Sequence, residues 1–350
     1  MRDLFTKNMF AQNSDLTVLR LGREDVLKMT EKISTLSMQV SKHEGFYPNI
    51  NDWLKKRVLP GIKNQTRVAY LGLNNGKPVA SAILKLSSDA KICHLCIDHS
   101  QQNRHLGDLF FSMMALDAKR KASRIHFTLP ERLWLEKREF FKSFGFCEAR
   151  KTRRQYRPTK DEMVSSVGFN IMWKNVLEKL PKIINALTPS NESIFNGILM
   201  SIRPEYIRKM QAGQKVVEVR KRFSTKWLGC RVTLYSSSPD QAIYGYATIE
   251  KIIKDTPRTI WTQYGDLIGV EKKVFDDYSG SSNQIYAIFL KDFKTYLNPV
   301  YLSHLSYLLN GRCPRPPESY ISLEHNIDWS RAVSIAELLH NRFWLYTTVI

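Results

Sequence analysis

Residues 91 to 111, "KICHLCIDHSQQNRHLGDLFF", hold two groupings able to do chemistry. Cys93 and Cys96, with His94 between them, have the spacing of half a metal knuckle. The polar run that follows, closing on Gly107, has the make-up of a turn that holds phosphates. In a strand, an odd separation puts the side chains of Cys93 and Cys96 on opposite faces. A zinc site also needs further ligands at matching spacing, and no second Cys-x-x-Cys exists in the chain. No metal is therefore expected, and the cysteines read as buried, apolar-like side chains. A loop between a strand end and a helix start, by contrast, exposes backbone N–H groups beside the positive end of the helix dipole, where a pyrophosphate sits without a dedicated lysine.

The surrounding elements decide between the two readings. "DLTVLRL" alternates as a strand and "REDVLKMTEKISTLSM" reads as helix. "RVAYLGLNNGKPVASAILKL" reads as two strands around the turn Asn74-Asn75-Gly76. "KICHLCIDHS" is a further strand, and Leu109, Phe110, Met113, Met114 and Ala118 recur at helical spacing just after Gly107. "RIHFTLP" is the next strand and "ERLWLEKREFFKSF" the next helix, with Gly145 placed to end it. A strand leading straight into a helix at Gly107 favours the phosphate turn.

At 350 residues the chain is expected to form two domains of roughly 150 residues each. Its 43% hydrophobic content suffices to fill them. No apolar run of membrane-spanning length and no signal peptide are found, and five cysteines fit a reducing compartment, so a soluble cytoplasmic protein is expected. The net charge of +20 points to a polyanionic partner. The charge is clustered: Arg150, Lys151, Arg153, Arg154, Arg157 and Lys160 stand against Glu148, and Lys215, Arg220, Lys221, Arg222 and Lys226 against Glu218.

"QNRHLG", Gln102 to Gly107, resembles the Gln/Arg-x-x-Gly-x-Gly/Ala motif of the GNAT acetyltransferases, and "FFKSFGF", Phe140 to Phe146, resembles their later helix end. The resemblance spans residues 15 to 158 and implies an α/β GNAT fold, a mixed central sheet with helices. It implies acetyl-CoA as cofactor, its pyrophosphate on the amides of Gln102, Asn103, Arg104, His105, Leu106, Gly107 and Asp108. Leu95, Cys96 and Ile97 would offer main-chain groups to the pantetheine and the acetyl carbonyl. Two positions depart from the family: His105 stands where glycine is usual, which a loop tolerates only if its backbone is not left-handed, and Phe141 stands where many members carry the tyrosine that protonates the thiolate.

Amine acetylation needs a base for the acceptor, donors for the oxyanion and an acid for the sulfur. With Phe141 unable to donate, Tyr156, Ser143 or water is left as acid, and Glu131, Asp98 and His126 are the bases available by position. Each has an ordinary structural role as well: a first-turn acid for Glu131, a strand-end turn for Asp98 and a satisfied strand residue for His126.

Residues 161–192 read as a helical connector interrupted by Pro181. Beyond it, "GILMSIRPEYIRKMQAGQKVVEVRKRF" reads strand, short helix, Gly213 turn and strand, and further β-rich runs make a small barrel the natural architecture. These residues resemble the ASCH signature of PUA-like barrels, Gly-x-Lys-x-x-Glu-x-Arg, here Gly213, Lys215, Glu218 and Arg220. The likeness continues through "TIWTQYG", "FDDYSG" and "PPESYISL". It implies a cleft suited to RNA or nucleobases. Some members are amidohydrolases that pair the lysine with a hydroxyl residue three positions on, a place Glu218 occupies here. Lys215 and Arg220 could contact phosphate and Glu218 a base amine; alternatively Glu218 forms an internal ion pair with Arg220 or with Lys215 on a barrel wall.

The expected organisation is a GNAT-like domain at 1–160, a connector at 161–192, a small PUA-like β-barrel α+β domain at 193–325 and a helical tail at 326–350. The expected function is acetyl-CoA-dependent N-acetylation of an amine on RNA. RNA is favoured over DNA by analogy with other PUA-like proteins. The nucleic acid would be held by Arg150, Lys151, Arg153, Arg154, Lys215, Glu218, Arg220 and Arg222, with Glu131, Tyr156 and Asp98 in catalysis. Two alternatives stay open: a nucleic-acid-binding regulator whose GNAT half is inert or senses acetyl-CoA, and an acetyltransferase for a protein or small-molecule amine.

Overall fold

In the computed structural model the hairpin signal at Asn75-Gly76 becomes a tight turn, both residues lying at positive φ, 49° and 75°. Such a two-residue turn matches the right-handed twist of its strands. It joins β2 (Arg67–Asn74) to β3 (Lys77–Lys85), and β1 (Leu16–Leu21) pairs antiparallel with β2. The structure describes residues 16–102, 105–152, 156–157, 161–188 and 193–344. Asn103, Arg104, Arg153 and Arg154 lie outside the described residues.

Between β1 and β2 run α1 (Arg23–Leu27), α2 (Glu31–Ser41), α3 (Ile50–Trp53) and α4 (Leu59–Lys63). Helix α2 buries Ile33, Leu36 and Val40, and the π-helical turn Leu54–Val58 that joins α3 to α4 buries Leu54 and Val58, all against Ala69, Leu71 and Ile83 of the sheet. Then come β4 (Asp89–Ile97), α5 (Leu106–Ala118), β5 (Arg124–Pro130), α6 (Glu131–Lys142), β6 (Arg150–Thr152), β7 (Glu162–Gly168) and α7 (Phe169–Leu187). The strands form one seven-stranded sheet in the order β1-β2-β3-β4-β5-β7-β6, with β4 and β5 parallel. Helix α5 is apolar on nearly every side and correspondingly buried nearly all round. Helix α6 ends as expected: Gly145 (φ 98°) turns the chain while its N–H donates to Lys142 O and that of Phe146 to Phe141 O.

The expected connector is not one. Residues 162–168 insert as β7 between β5 and β6, and 169–187 are a helix of the same unit. Pro181 does not interrupt that helix. Burial of Met172, Trp173, Val176, Leu180, Ile183 and Ile184 outweighs the roughly 3 kcal/mol that an interior proline costs.

Thr188–His340 forms the second unit. Its elements are β8 (Ile198–Ile202), α8 (Pro204–Gln211), β9 (Val217–Arg220), β10 (Arg231–Ser236), β11 (Ala242–Asp255), α9 (Pro257–Ile268), α10 (Lys272–Ser279), β12 (Ile285–Tyr301), α11 (Leu302–Leu308), β13 (Tyr320–Ser322) and the start of α12 (Ile327–Trp344). Six strands in the order β13-β8-β10-β11-β12-β9 make a curled half-barrel sheet. One face buries Ile198, Met200, Val232 and Ile288; on the other, Val217 and Ala287 pack against Ile260 of α9 and Phe275 of α10. The expected tail is an integral helix: Trp329 and Ala336 are buried, and Glu337, also buried, takes hydrogen bonds from Arg231 and from the Tyr296 hydroxyl.

Candidate active site

Strands β4 and β5 pair from Asp89↔Arg124 as far as Ile92↔Phe127 and no further. Beyond that point β4 runs on to Ile97, bonded to β3 alone, while β5 runs on to Pro130, bonded to β7. A gap therefore opens between two parallel strands, and main-chain groups of Cys93–Ile97 on the β5 side have no ladder partner. The cause sits at Cys93: the register jumps from Ile83↔His94 to Leu84↔Ile92, a bulge. The bulge also corrects the strand parity argued above. Cys93 packs against the α1–α4 cluster that includes Ile83, the cross-strand partner of His94, so the two cysteines are not on opposite faces by simple alternation. Among the described residues no group of three or more His, Cys, Asp or Glu is placed to hold a metal ion.

The far end of the gap is closed by the turn into α5. The Gln102 side chain donates to Ile97 O at 3.4 Å, and His105 caps the helix. His105 is left-handed (φ 58°), the conformation the sequence argument excluded; histidine is among the non-glycine residues that adopt it, and its Nδ1 lies 3.3 Å from Asp108. The first helical hydrogen bond is Leu109 N–H to His105 O, so the amides of Leu106, Gly107 and Asp108 have no partner within the helix. Gly107 lies close to α6: a Cβ there would meet Phe140 at 3.3 Å. Two cations that sequence reasoning missed flank the turn. Lys137 Nζ is 3.3 Å from Gln102 Oε1, and Lys179 Nζ is 2.6 Å from Asp108 Oδ1. Lys179 lies on α7, far away in the chain, and no local signal marks it.

Asp98 follows the last residue of β4 and Glu131 begins α6 just after β5, at the outer ends of the two parting strands. Both are ion-paired, Asp98 with Lys42 at 3.2 Å and Glu131 with Lys151 at 3.3 Å. Tyr156 stands on neither strand: its hydroxyl accepts from Lys91 Nζ at 2.8 Å, one residue before the last β4–β5 pair. His126 is held by Asp89 at 2.9 Å, and Arg124 keeps the Asp89 carboxyl down at about 2. Phe141 is buried among Phe127, Trp134 and Phe146.

The loop after α2, residues 42–47, packs beside the free part of β4, and nothing in its sequence announced it. His43 meets His94 edge-on, ring centres 5.1 Å apart, while Arg157 Nε donates to Phe46 O at 3.0 Å. His94 shares a 2.8 Å hydrogen bond with Ser81, and burial, with His43 adding to it, pushes its pKa down to about 3. Buried Glu162, at the start of β7, accepts from Tyr156 N–H at 3.0 Å. Burial and then the Glu162 charge drive the Tyr47 hydroxyl upward, so it stays protonated at neutral pH.

In the second unit the signature residues close on one another. Lys215 is 2% exposed; its Nζ donates to Val217 O and Ile268 O at 2.7 and 2.8 Å and pairs with Glu218 at 3.1 Å. These fill the three donor positions of an ammonium. The other Glu218 oxygen holds Arg220 at 3.0 Å, and Arg220 donates to Ser201 O at 2.6 Å. The internal ion-pair alternative is the one observed, so Lys215 does not reach a phosphate. Arg222, Arg150 and Lys151 are exposed.

Residues 195–308 match the family described as "Domain of unknown function (DUF365)". A stretch of 121 residues is 26% identical to an ASCH domain-containing ribonuclease of Zymomonas mobilis, covering 35% of this chain and 80% of that protein. The solved ASCH structure from Zymomonas mobilis aligns at 25% identity with a TM-score of 0.36, covering 40% of this chain and 95% of that one. An acetyltransferase structure from Thermus thermophilus aligns at 15% identity with a TM-score of 0.30, over 44% of this chain and 96% of its own. The second unit carries an ASCH-type region, and the mixed sheet with helices expected of the first unit is the one observed.

Proposed function

We propose that the first unit transfers the acetyl group of acetyl-CoA to an amine on RNA and that the second unit binds that RNA. The observation that carries the reading is the parting of β4 and β5 after Ile92 and Phe127, with the unpaired amides of α5 at its mouth. These residues fit the cofactor: an unpaired strand edge suits an extended amide chain, and a helix N-terminus flanked by Lys137 and Lys179 suits phosphates. Leu95, Cys96 and Ile97 would hold the pantetheine, and Gln102 and His105–Asp108 the pyrophosphate; Asn103 and Arg104, expected with them, lie outside the described residues.

Bound there, acetyl-CoA supplies the thioester carbonyl carbon to which the amine nitrogen bonds as the C–S bond breaks. Glu131 or Asp98 takes the proton that the amine gives up, and Tyr156 gives one to the departing sulfur. Lys91 fixes the Tyr156 hydroxyl and Glu162 fixes its backbone, so the acid is held at both ends. Tyr47, kept protonated near Glu162 and Tyr156, is a neutral donor available beside that acid.

RNA as the carrier of the amine is supported by the +20 charge and by the relative named a ribonuclease. The test is to incubate the full chain with carbon-labelled acetyl-CoA and total RNA. Label in RNA supports the reading. Label confined to protein or to small amines moves the acceptor elsewhere. Binding of acetyl-CoA with no transfer favours an acetyl-CoA-responsive regulator, the reading that the sealed, donorless Phe141 keeps in view.

A further inference from the structure

We infer that a groove on the first unit binds the phosphodiester backbone of the acceptor nucleic acid; the inference rests on the reading of that acceptor as RNA. The groove, about 320 Å³, lies on the face of β4, β5, β7 and β6 opposite Ile125 and Phe127, and is lined by Lys85, Lys91, Arg124, Arg150, His126 and Tyr156 among others.

Its charges do not cancel. Asp89 is the one carboxylate in the lining, and Arg124, through two hydrogen bonds of 3.0 and 2.7 Å, together with His126, already occupies it. Lys85, Lys91 and Arg150 have no carboxylate partner among the described residues. Lys85 and Lys91 are, moreover, direct cross-strand partners. Like charges directly opposite destabilise a sheet, so this pairing favours an external anion between them. The hydroxyls of Thr128 and Ser166 line the same floor and add neutral donors.

The spread of the cations selects the ligand. Lys85 lies on β3 and Arg150 on β6, with β4, β5 and β7 between them. Four strand spacings amount to roughly 19 Å, too far for a single phosphate and suited to an extended chain of them. Tyr156, 48% exposed, presents its ring beside Lys91, whose Nζ is 4.2 Å from the ring centre. An aromatic face next to a backbone cation is a place for a base to stack. An acidic peptide would leave that ring unused.

The experiment is fluorescence anisotropy of a labelled oligouridylate with the full chain across a salt series, for the parent and for the double variant Lys85→Gln/Arg150→Gln. Ultraviolet cross-linking with peptide mapping runs alongside. The expected result is a plot of log affinity against log salt shallower by about 1.4 in the variant, two contacts at about 0.7 each, with acetyl-CoA binding unchanged. Cross-links are expected on the peptide holding Tyr156. If the double variant does not fold, Lys85→Gln alone and the cross-link map decide. An unchanged slope, or cross-links confined to the second unit, overturns the groove while leaving RNA as the acceptor. Displacement by polyglutamate at charge concentrations equal to RNA also overturns it, in favour of an acidic protein. Absence of any oligouridylate binding by the parent removes the RNA reading itself.

Discussion

Ile92 and Phe127 are the last residues at which β4 and β5 pair, and the bulge at Cys93 begins one residue later. A bulge in one strand bends it away from its neighbour. This single irregularity turns a closed sheet into one with an open seam, and the seam leads to the amides of Leu106, Gly107 and Asp108.

Gly107 is tight against α6, a Cβ there meeting Phe140 at 3.3 Å. Gly107→Val is expected to weaken acetyl-CoA binding by about tenfold or more, equivalent to about 1.4 kcal/mol, through displacement of the helix start. Gly107→Ala, which asks Phe140 to move only slightly, is expected to lose less. Titration calorimetry on the full chain measures both, and equal affinities for all three proteins would remove Gly107 from the site.

Tyr156→Phe keeps the ring beside Lys91 and removes the hydroxyl that Lys91 holds at 2.8 Å. Turnover is expected to fall by about a hundredfold, the lower end for loss of a general acid, with acetyl-CoA affinity unchanged. Turnover equal to the parent would pass the role to Ser143 or water.

Lys215→Met is expected to act on stability and not on the choice of RNA, because Lys215 is spent on Val217, Ile268 and Glu218 inside the sheet. Removing one partner of a buried ion pair costs about 3 to 5 kcal/mol. Urea unfolding of the second unit reads this. A variant of parental stability that prefers different RNA sequences would contradict it.

His94, with its pKa at about 3, stays neutral in the folded chain where an ordinary histidine near 6.5 is charged. Below pH 6.5 the unfolded chain then binds more protons than the folded one, so this residue lowers stability as pH falls from 6.5 towards 3, by up to about 1.4 kcal/mol per pH unit. His94→Gln is expected to flatten the acid limb of stability against pH, measured by urea midpoints. An unaltered limb would mean that His94 titrates normally.

The elements around the site were legible because they are local. Asn75-Gly76 can make one kind of turn, and the apolar spacing from Leu109 to Ala118 defines a helix. What escaped depends on contacts distant in sequence. The bulge at Cys93 is a matter of register with β3, and β7 joins the sheet through pairing with β5 and β6 across intervening chain. Pro181 looked like a break because the burial that overrides it is tertiary. Lys215 looked like a phosphate ligand because a charged residue in a strand says nothing of what closes over it; here α9 does, with Ile268 O.

The central claim is the location of the acetyl-CoA site, and amide hydrogen exchange of the full chain with and without acetyl-CoA tests it most directly. Protection is predicted in two separate peptides, one covering Cys93–Ile97 on β4 and one covering the turn into α5 through Asp108. Saturating acetyl-CoA that leaves both peptides exchanging as before, or protects a region outside these strands, would contradict the account.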